Sequence, residues 1–236
     1  MTIFNSVYKS FTPVQPRTPW ADTIAYYKFE WDADDYSWNW NDLTASGNVS
    51  YVTLNWKQVV YFQWANSNST TRLETSDITL NSSPQTYSIR CRTNSNWSWS
   101  PYWWFLIQTF QVSPRIRNWI WNANLSSYVN YRLYKWADNQ REQTSVVPDR
   151  WDDTFHHIAI TISPTECCFY RDWVKEWTFT WLSNSSYTAP IYVWCNDDTN
   201  YAFNWYIGET IIESKERTDQ EILDYFNQTK ADYWIS

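Results

Sequence analysis

The chain has 236 residues, 43% apolar and 18% charged, with a formal net charge of −7. It is long enough for one large core and too rich in aromatics (21%) for disorder. No apolar run approaches the ~20 residues of a membrane span, and a pI near 4.8 excludes a basic nucleic-acid groove, so neither membrane insertion nor nucleic acid is expected.

Residues 1–22 lack the basic start, apolar core and small-residue cleavage site of a secretory leader. Pro13, Pro16 and Pro19 make this stretch read as an extended arm before a single domain, 23–236. The domain opens with a strand over 23–30, followed by strands over 57–63 and 86–92, where Tyr87, Ile89 and Cys91 alternate with Ser88, Arg90 and Arg92. The apolar run 103–112 suits a central strand, and 127–135 puts Val129, Tyr131 and Leu133 on one face. Residues 154–163 place Ile158, Ile160 and Ile162 together, and 166–172 meets 174–180 across a hairpin turn at Asp172-Trp173. Segments 191–195 and 205–213 complete the strands. One helix is expected: Thr218 and Glu221 form a capping-box pattern ahead of the apolar stripe Ile222, Leu223, Tyr225 and Phe226. Closely spaced strands with polar turns predict an all-β sandwich or barrel.

The composition carries one anomaly, 2 Gly against 20 Trp. Ordinary usage of ~7% would give about 17 Gly. Ten of the Trp directly follow Asn, Asp, Glu or Ser: Trp31, Trp38, Trp40, Trp56, Trp97, Trp99, Trp119, Trp173, Trp177 and Trp205. Asn-Gly, Asp-Gly and Ser-Gly pairs mark turns because Gly reaches φ > 0 without steric cost, whereas a bulky residue there is an outlier. Many of these positions therefore read as glycine in the source, consistent with one triplet, UGA, being read as Trp in one variant code and Gly in another. The alternative is a genuinely Trp-rich chain that makes the turns of an all-β fold with two glycines.

With Trp read as glycine, 27–43 (YKFEWDADDYSWNWNDL) resembles the opening of laminin G-like, concanavalin A-like jelly-roll domains, where a strand ending in Phe enters a Gly-Asp-Ala-x-Asp-x-Ser-Gly-Asn-Gly loop. Residues 155–160 (FHHIAI), 168–177 (CFYRDWVKEW) and 203–229 resemble further blocks of that family, in its order. The resemblance implies an all-β, two-sheet antiparallel jelly-roll sandwich with one short C-terminal helix. It also implies binding of glycans or proteins, often through calcium; a minority of relatives hydrolyse glycans.

Chemistry-bearing residues are few. The densest carboxylates are Glu30, Asp32, Asp34 and Asp35. Glu30 and Asp32 could share a strand face, but the mid-chain Glu-x-Asp-x-Glu strand of catalytic relatives does not occur, so no enzyme is expected. Asp32, Asp34 and Asp35 read first as turn braces and second as calcium ligands. Asn196, Asp197, Asp198, Asn200 and Tyr201 form a polar loop between two apolar strands, suited to sugar hydroxyls and a sugar face. His156 and His157 point to opposite faces, one buried and one solvent-facing. Cys91, Cys167, Cys168 and Cys195 match no metal spacing; buried thiols are expected, with a Cys91–Cys195 disulfide as the alternative.

The expected function is a non-catalytic, lectin-like recognition module at an extracellular or virion surface, binding a glycan or surface polymer through rim loops, with calcium as an assisting ion. The competing expectation is a structural or adhesive phage virion or cell-surface protein whose partners are other subunits.

Overall fold

The computed structural model describes residues 21–54, 56–62, 71–81, 84–93, 103–112, 115–123, 128–129, 132–135, 140–143, 147–148, 154–180, 186–195 and 205–233. In chain order the strands are β1 (Thr23–Tyr27), β2 (Thr44–Ser46), β3 (Val49–Leu54), β4 (Lys57–Phe62), β5 (Arg72–Glu74), β6 (Ile78–Asn81) and β7 (Gln85–Thr93). They continue as β8 (Trp103–Val112), β9 (Arg115–Ala123), β10 (Tyr128–Val129), β11 (Arg132–Lys135), β12 (Gln140–Gln143) and β13 (Val147–Pro148). The last are β14 (Phe155–Ile162), β15 (Glu166–Arg171), β16 (Val174–Thr180), β17 (Ser186–Ala189), β18 (Ile191–Cys195) and β19 (Trp205–Glu213), before helix α1 (Asp219–Thr229).

Two antiparallel sheets carry the domain. The first runs β16-β15-β14-β7-β19-β4-β3, with β1 also on β19; the second runs β12-β11-β9-β8-β18-β5-β2. β4 pairs with Trp205–Ile207 and β1 with Thr210–Glu213, the two registers separated by an irregularity at Gly208. Side chains from both sheets meet in one buried layer: Ile89, Ile160 and Phe169 from the first, Leu73, Ile107, Ile191 and Val193 from the second. Each such side chain contributes roughly 1.5–3 kcal/mol by leaving water. This is the predicted two-sheet antiparallel sandwich.

The first sheet is covered on its outer face too. α1 begins at Thr218, whose hydroxyl accepts from Glu221 N–H while the Glu221 carboxylate accepts from Thr218 N–H, the predicted capping box. The helix buries Ile222, Tyr225, Phe226 and Thr229, and a one-turn 3₁₀ helix, Lys230–Tyr233, buries Tyr233. Under it lie Ala159, Cys168 and Tyr170 in one cluster and Val59 and Phe155 in another. Arg90 belongs to this outward phase of β7, yet the helix leaves it with no exposed surface.

Two strand expectations are corrected. The segment 127–135 is not one strand: β10 pairs with β13, whereas β11 joins β9 and β12 in the second sheet. The opening strand ends at Tyr27 rather than 30, because Phe29 takes φ 55 and turns the chain while keeping its ring in the core. Among the described residues the thiols behave as expected. Cys91, Cys167 and Cys168 are free and buried, so no Cys91–Cys195 disulfide forms. Cys167 packs in the sandwich interior and Cys168 under the helix. Burial pushes the Cys91 and Cys167 thiols far above their ordinary range, which keeps them unreactive.

Candidate functional site

The loop 30–42 is built around Asp35. One carboxylate oxygen accepts from Tyr26 N–H at 2.9 Å and Ser37 N–H at 2.8 Å; the other accepts from Ser37 Oγ at 2.7 Å and Asn41 N–H at 3.0 Å. The amides of Asn39 and Asn41 donate to the carbonyls of Thr23 and Ile24 at 2.7 and 2.8 Å. Asp35 thus folds the loop back onto β1, the turn-bracing use of Asp and Asn. Asp32 accepts from Asp34 N–H at 3.3 Å and from Tyr36 Oη at 3.0 Å. Burial, then the Asp32 hydrogen bond, pushes the Tyr36 phenol up to about 12. The Asp32 charge raises exposed Asp34 above the usual carboxylate range.

Of the three predicted calcium ligands, Asp35 spends both oxygens on the protein. Among the described residues, no three His, Cys, Asp or Glu side chains are gathered as a metal site. Glu30 and Asp32 lie beyond the end of β1, not on a shared strand face, and Glu30 pairs with Lys57 Nζ at 3.0 Å. The predicted sugar-binding residues Asn196, Asp197, Asp198, Asn200 and Tyr201 lie outside the described residues.

The two histidines separate as predicted. His157 is fully buried beneath α1, its Nε2 2.5 Å from Ser88 Oγ and its ring against Tyr225 and Phe226. His156 faces the other side. Its Nδ1 lies 2.6 Å from Asp172 Oδ2 and its Nε2 lies 3.2 Å from Thr154 Oγ1. That is the hydroxyl–imidazole–carboxylate order of a nucleophilic triad. Asp172, however, also accepts from His157 N–H and donates its own N–H to His157 O, both at 2.8 Å. The arrangement fastens the β15–β16 hairpin to β14.

Sequence reasoning did not single out a surface ladder on the outer face of the first sheet. Tyr206 lies opposite Tyr61 on β4 and Arg92 on β7. The two rings stack with centroids 4.8 Å apart, and the Arg92 guanidinium sits 5.4 Å from the Tyr206 centroid. All three side chains are half-buried. The phenols and the guanidinium can hydrogen-bond hydroxyls and a carboxylate, while the ring edges offer apolar contact. The signal was the strand phase: Tyr61 and Tyr206 alternate with the core residues Val60, Phe62 and Ile207.

No family model and no curated protein matches the chain. Solved structures do. The binding domain of Paraclostridial Mosquitocidal Protein 1 matches with TM-score 0.64 at 16% identity, over 87% of this chain and 52% of that one. The botulinum neurotoxin serotype D binding domain matches with TM-score 0.65 at 12% identity, over 87% and 51%. The ligand-binding domain of that serotype in complex with N-acetylneuraminic acid gives TM-score 0.68 at 11% identity, over 87% and 50%. The chain therefore spans about half the length of these structures, and at such identities the likeness is one of fold. No helix among the described residues is long and apolar enough to cross a membrane.

Proposed function

We propose that the chain is a non-catalytic recognition module that binds glycan at the outer face of its first sheet, with the polar residues of 196–201 contributing. The observation that carries this reading is the shared sandwich: 87% of the chain superposes on toxin binding domains, one of them solved with a sialic acid. The described surface offers matching chemistry in Tyr61, Tyr206 and Arg92, where a guanidinium beside phenols suits an acidic sugar. Asn196, Asp197, Asp198, Asn200 and Tyr201, which precede β19 in the sequence, would add hydroxyl-bonding oxygens. A calcium contribution would draw on Asp32 and Asp34, since Asp35 is committed to its loop.

A glycan array probed with and without chelator tests the reading. Binding to a defined set of glycans supports it, and loss of that binding with chelator assigns calcium a part. Binding to nothing under both conditions, with ordered multimers in solution, would replace it with the structural-subunit alternative.

A further inference from the structure

We propose that the polypeptide made by its own host carries glycine at positions 31, 38, 40, 56 and 173. Seven non-glycine residues among those described have positive φ: Phe29, Trp31, Trp38, Trp40, Trp56, Asp172 and Trp173. Tryptophan makes up 20 of the 236 residues yet holds five of these seven positions. Their φ values, 86, 72, 60, 81 and 73°, lie in the left-handed region, which Asn and Asp tolerate and bulky residues rarely enter.

Core burial gives no compensation. The five indoles are 69, 79, 83, 70 and 47% exposed, so none is held in place by a core. The turn geometry points the same way. Arg171 pairs with Val174, leaving Asp172 and Trp173 as a two-residue hairpin turn with φ 46 and 73°. Positive φ at both central residues is the type I′ turn, for which Asp-Gly is a preferred sequence. Leu54 pairs with Lys57 across Asn55-Trp56, where the favoured pair would be Asn-Gly.

Of the two glycines in the sequence, one occupies a site of the same kind and the other is required by close packing instead. Gly47 has φ 76, whereas a β-carbon at Gly208 would lie 2.3 Å from Tyr233 Cε1, too close for any side chain. Positions that demand glycine are thus filled by Gly or Trp far beyond the share of either. One triplet read differently between genetic codes is enough to produce all five. The exposed indoles at 31, 38 and 40 are then no aromatic platform, whatever the ligand.

Two measurements test this. Peptide mass spectrometry of the protein isolated from its host should give masses lighter than the printed sequence by a Trp-to-Gly difference at each of the five positions. Peptides that carry tryptophan there would overturn the proposal. Recombinantly, the combined Trp31→Gly, Trp38→Gly, Trp40→Gly, Trp56→Gly and Trp173→Gly chain should melt roughly 5 °C or more above the printed chain, relief of strain outweighing glycine's greater unfolded freedom. Trp177→Gly, within β16 and without a positive φ, should lower the melting temperature instead. An unchanged or lower melting temperature for the fivefold variant would remove the strain on which the proposal stands.

Discussion

Gly208 and Tyr233 share one space: Glu209 N–H donates to Tyr233 Oη at 2.7 Å, and the phenol ring lies where a side chain at Gly208 would begin. This contact seats the C-terminal turn on the break in β19 between its pairings with β4 and β1. Tyr233 also packs on Phe155, with ring centroids 5.1 Å apart. Gly208→Ala must push the ring out, and it is expected to cost about 2–3 kcal/mol by overpacking and loss of the hydrogen bond. Denaturant unfolding measures this; a change below about 0.5 kcal/mol would refute the contact.

Arg90 fills the space beneath the same helix. Its guanidinium lies within 5.7 Å of the Tyr225, Phe226 and Tyr233 ring centroids and donates to Phe226 O and Thr229 Oγ1. Arg90→Ala opens a void beneath the helix and removes two hydrogen bonds, so a loss of about 3–5 kcal/mol is expected. Arg90→Met keeps most of the volume and should lose clearly less. Equal losses in the two variants would mean that packing is not what Arg90 supplies.

Asp35 is predicted to be structural. Asp35→Ala removes four hydrogen bonds to the 30–42 loop and should cost about 2–3 kcal/mol, with the loop becoming sensitive to proteolysis. Asp34→Ala, at an exposed position, should change stability by less than about 0.5 kcal/mol. Comparable unfolding midpoints for the two variants would contradict the bracing role.

Acid should weaken the helix start. Burial alone would raise the Glu221 carboxyl, but hydrogen bonds from Lys215, the Thr218 backbone and Arg217 outweigh it and hold the group at about 2, below its ordinary 4.5. A carboxyl lowered by folding stabilises above its unfolded value, and that contribution is lost as the pH falls from 4.5 toward 2. With about a third of this side chain exposed, screening reduces the contribution to about 1 kcal/mol. Glu176, Glu213 and Glu216 shift the other way, chiefly through burial. Their protonation favours the fold as the pH drops through their raised values to 4.5. Stability should therefore fall below pH 4.5 less steeply in Glu221→Gln than in the unaltered chain. Parallel curves would refute the assignment.

Much of this was legible in the sequence where one physical rule dominated. The capping box at Thr218 and Glu221, and the strands 103–112, 174–180, 191–195 and 205–213, agree with the structure residue for residue. Short strands such as β2 and β5 escaped because three residues carry too little periodicity. The 127–135 run misled because its alternation continues across a change of sheet. Arg90 read as one of the polar residues alternating with the core. Its burial depends on a helix more than 120 residues away, which no local pattern encodes. The Tyr61–Tyr206–Arg92 ladder exists only through cross-strand register, again invisible in one segment.

The claim that this surface recognises glycan is tested most directly by titrating the glycans bound on an array into three forms of the chain. These are the unaltered chain, Tyr61→Ala with Tyr206→Ala, and Arg92→Ala. The account predicts at least a tenfold loss of affinity for the double variant and a selective loss of acidic sugars for Arg92→Ala, with circular dichroism unchanged. Equal affinities in all three folded forms would contradict it.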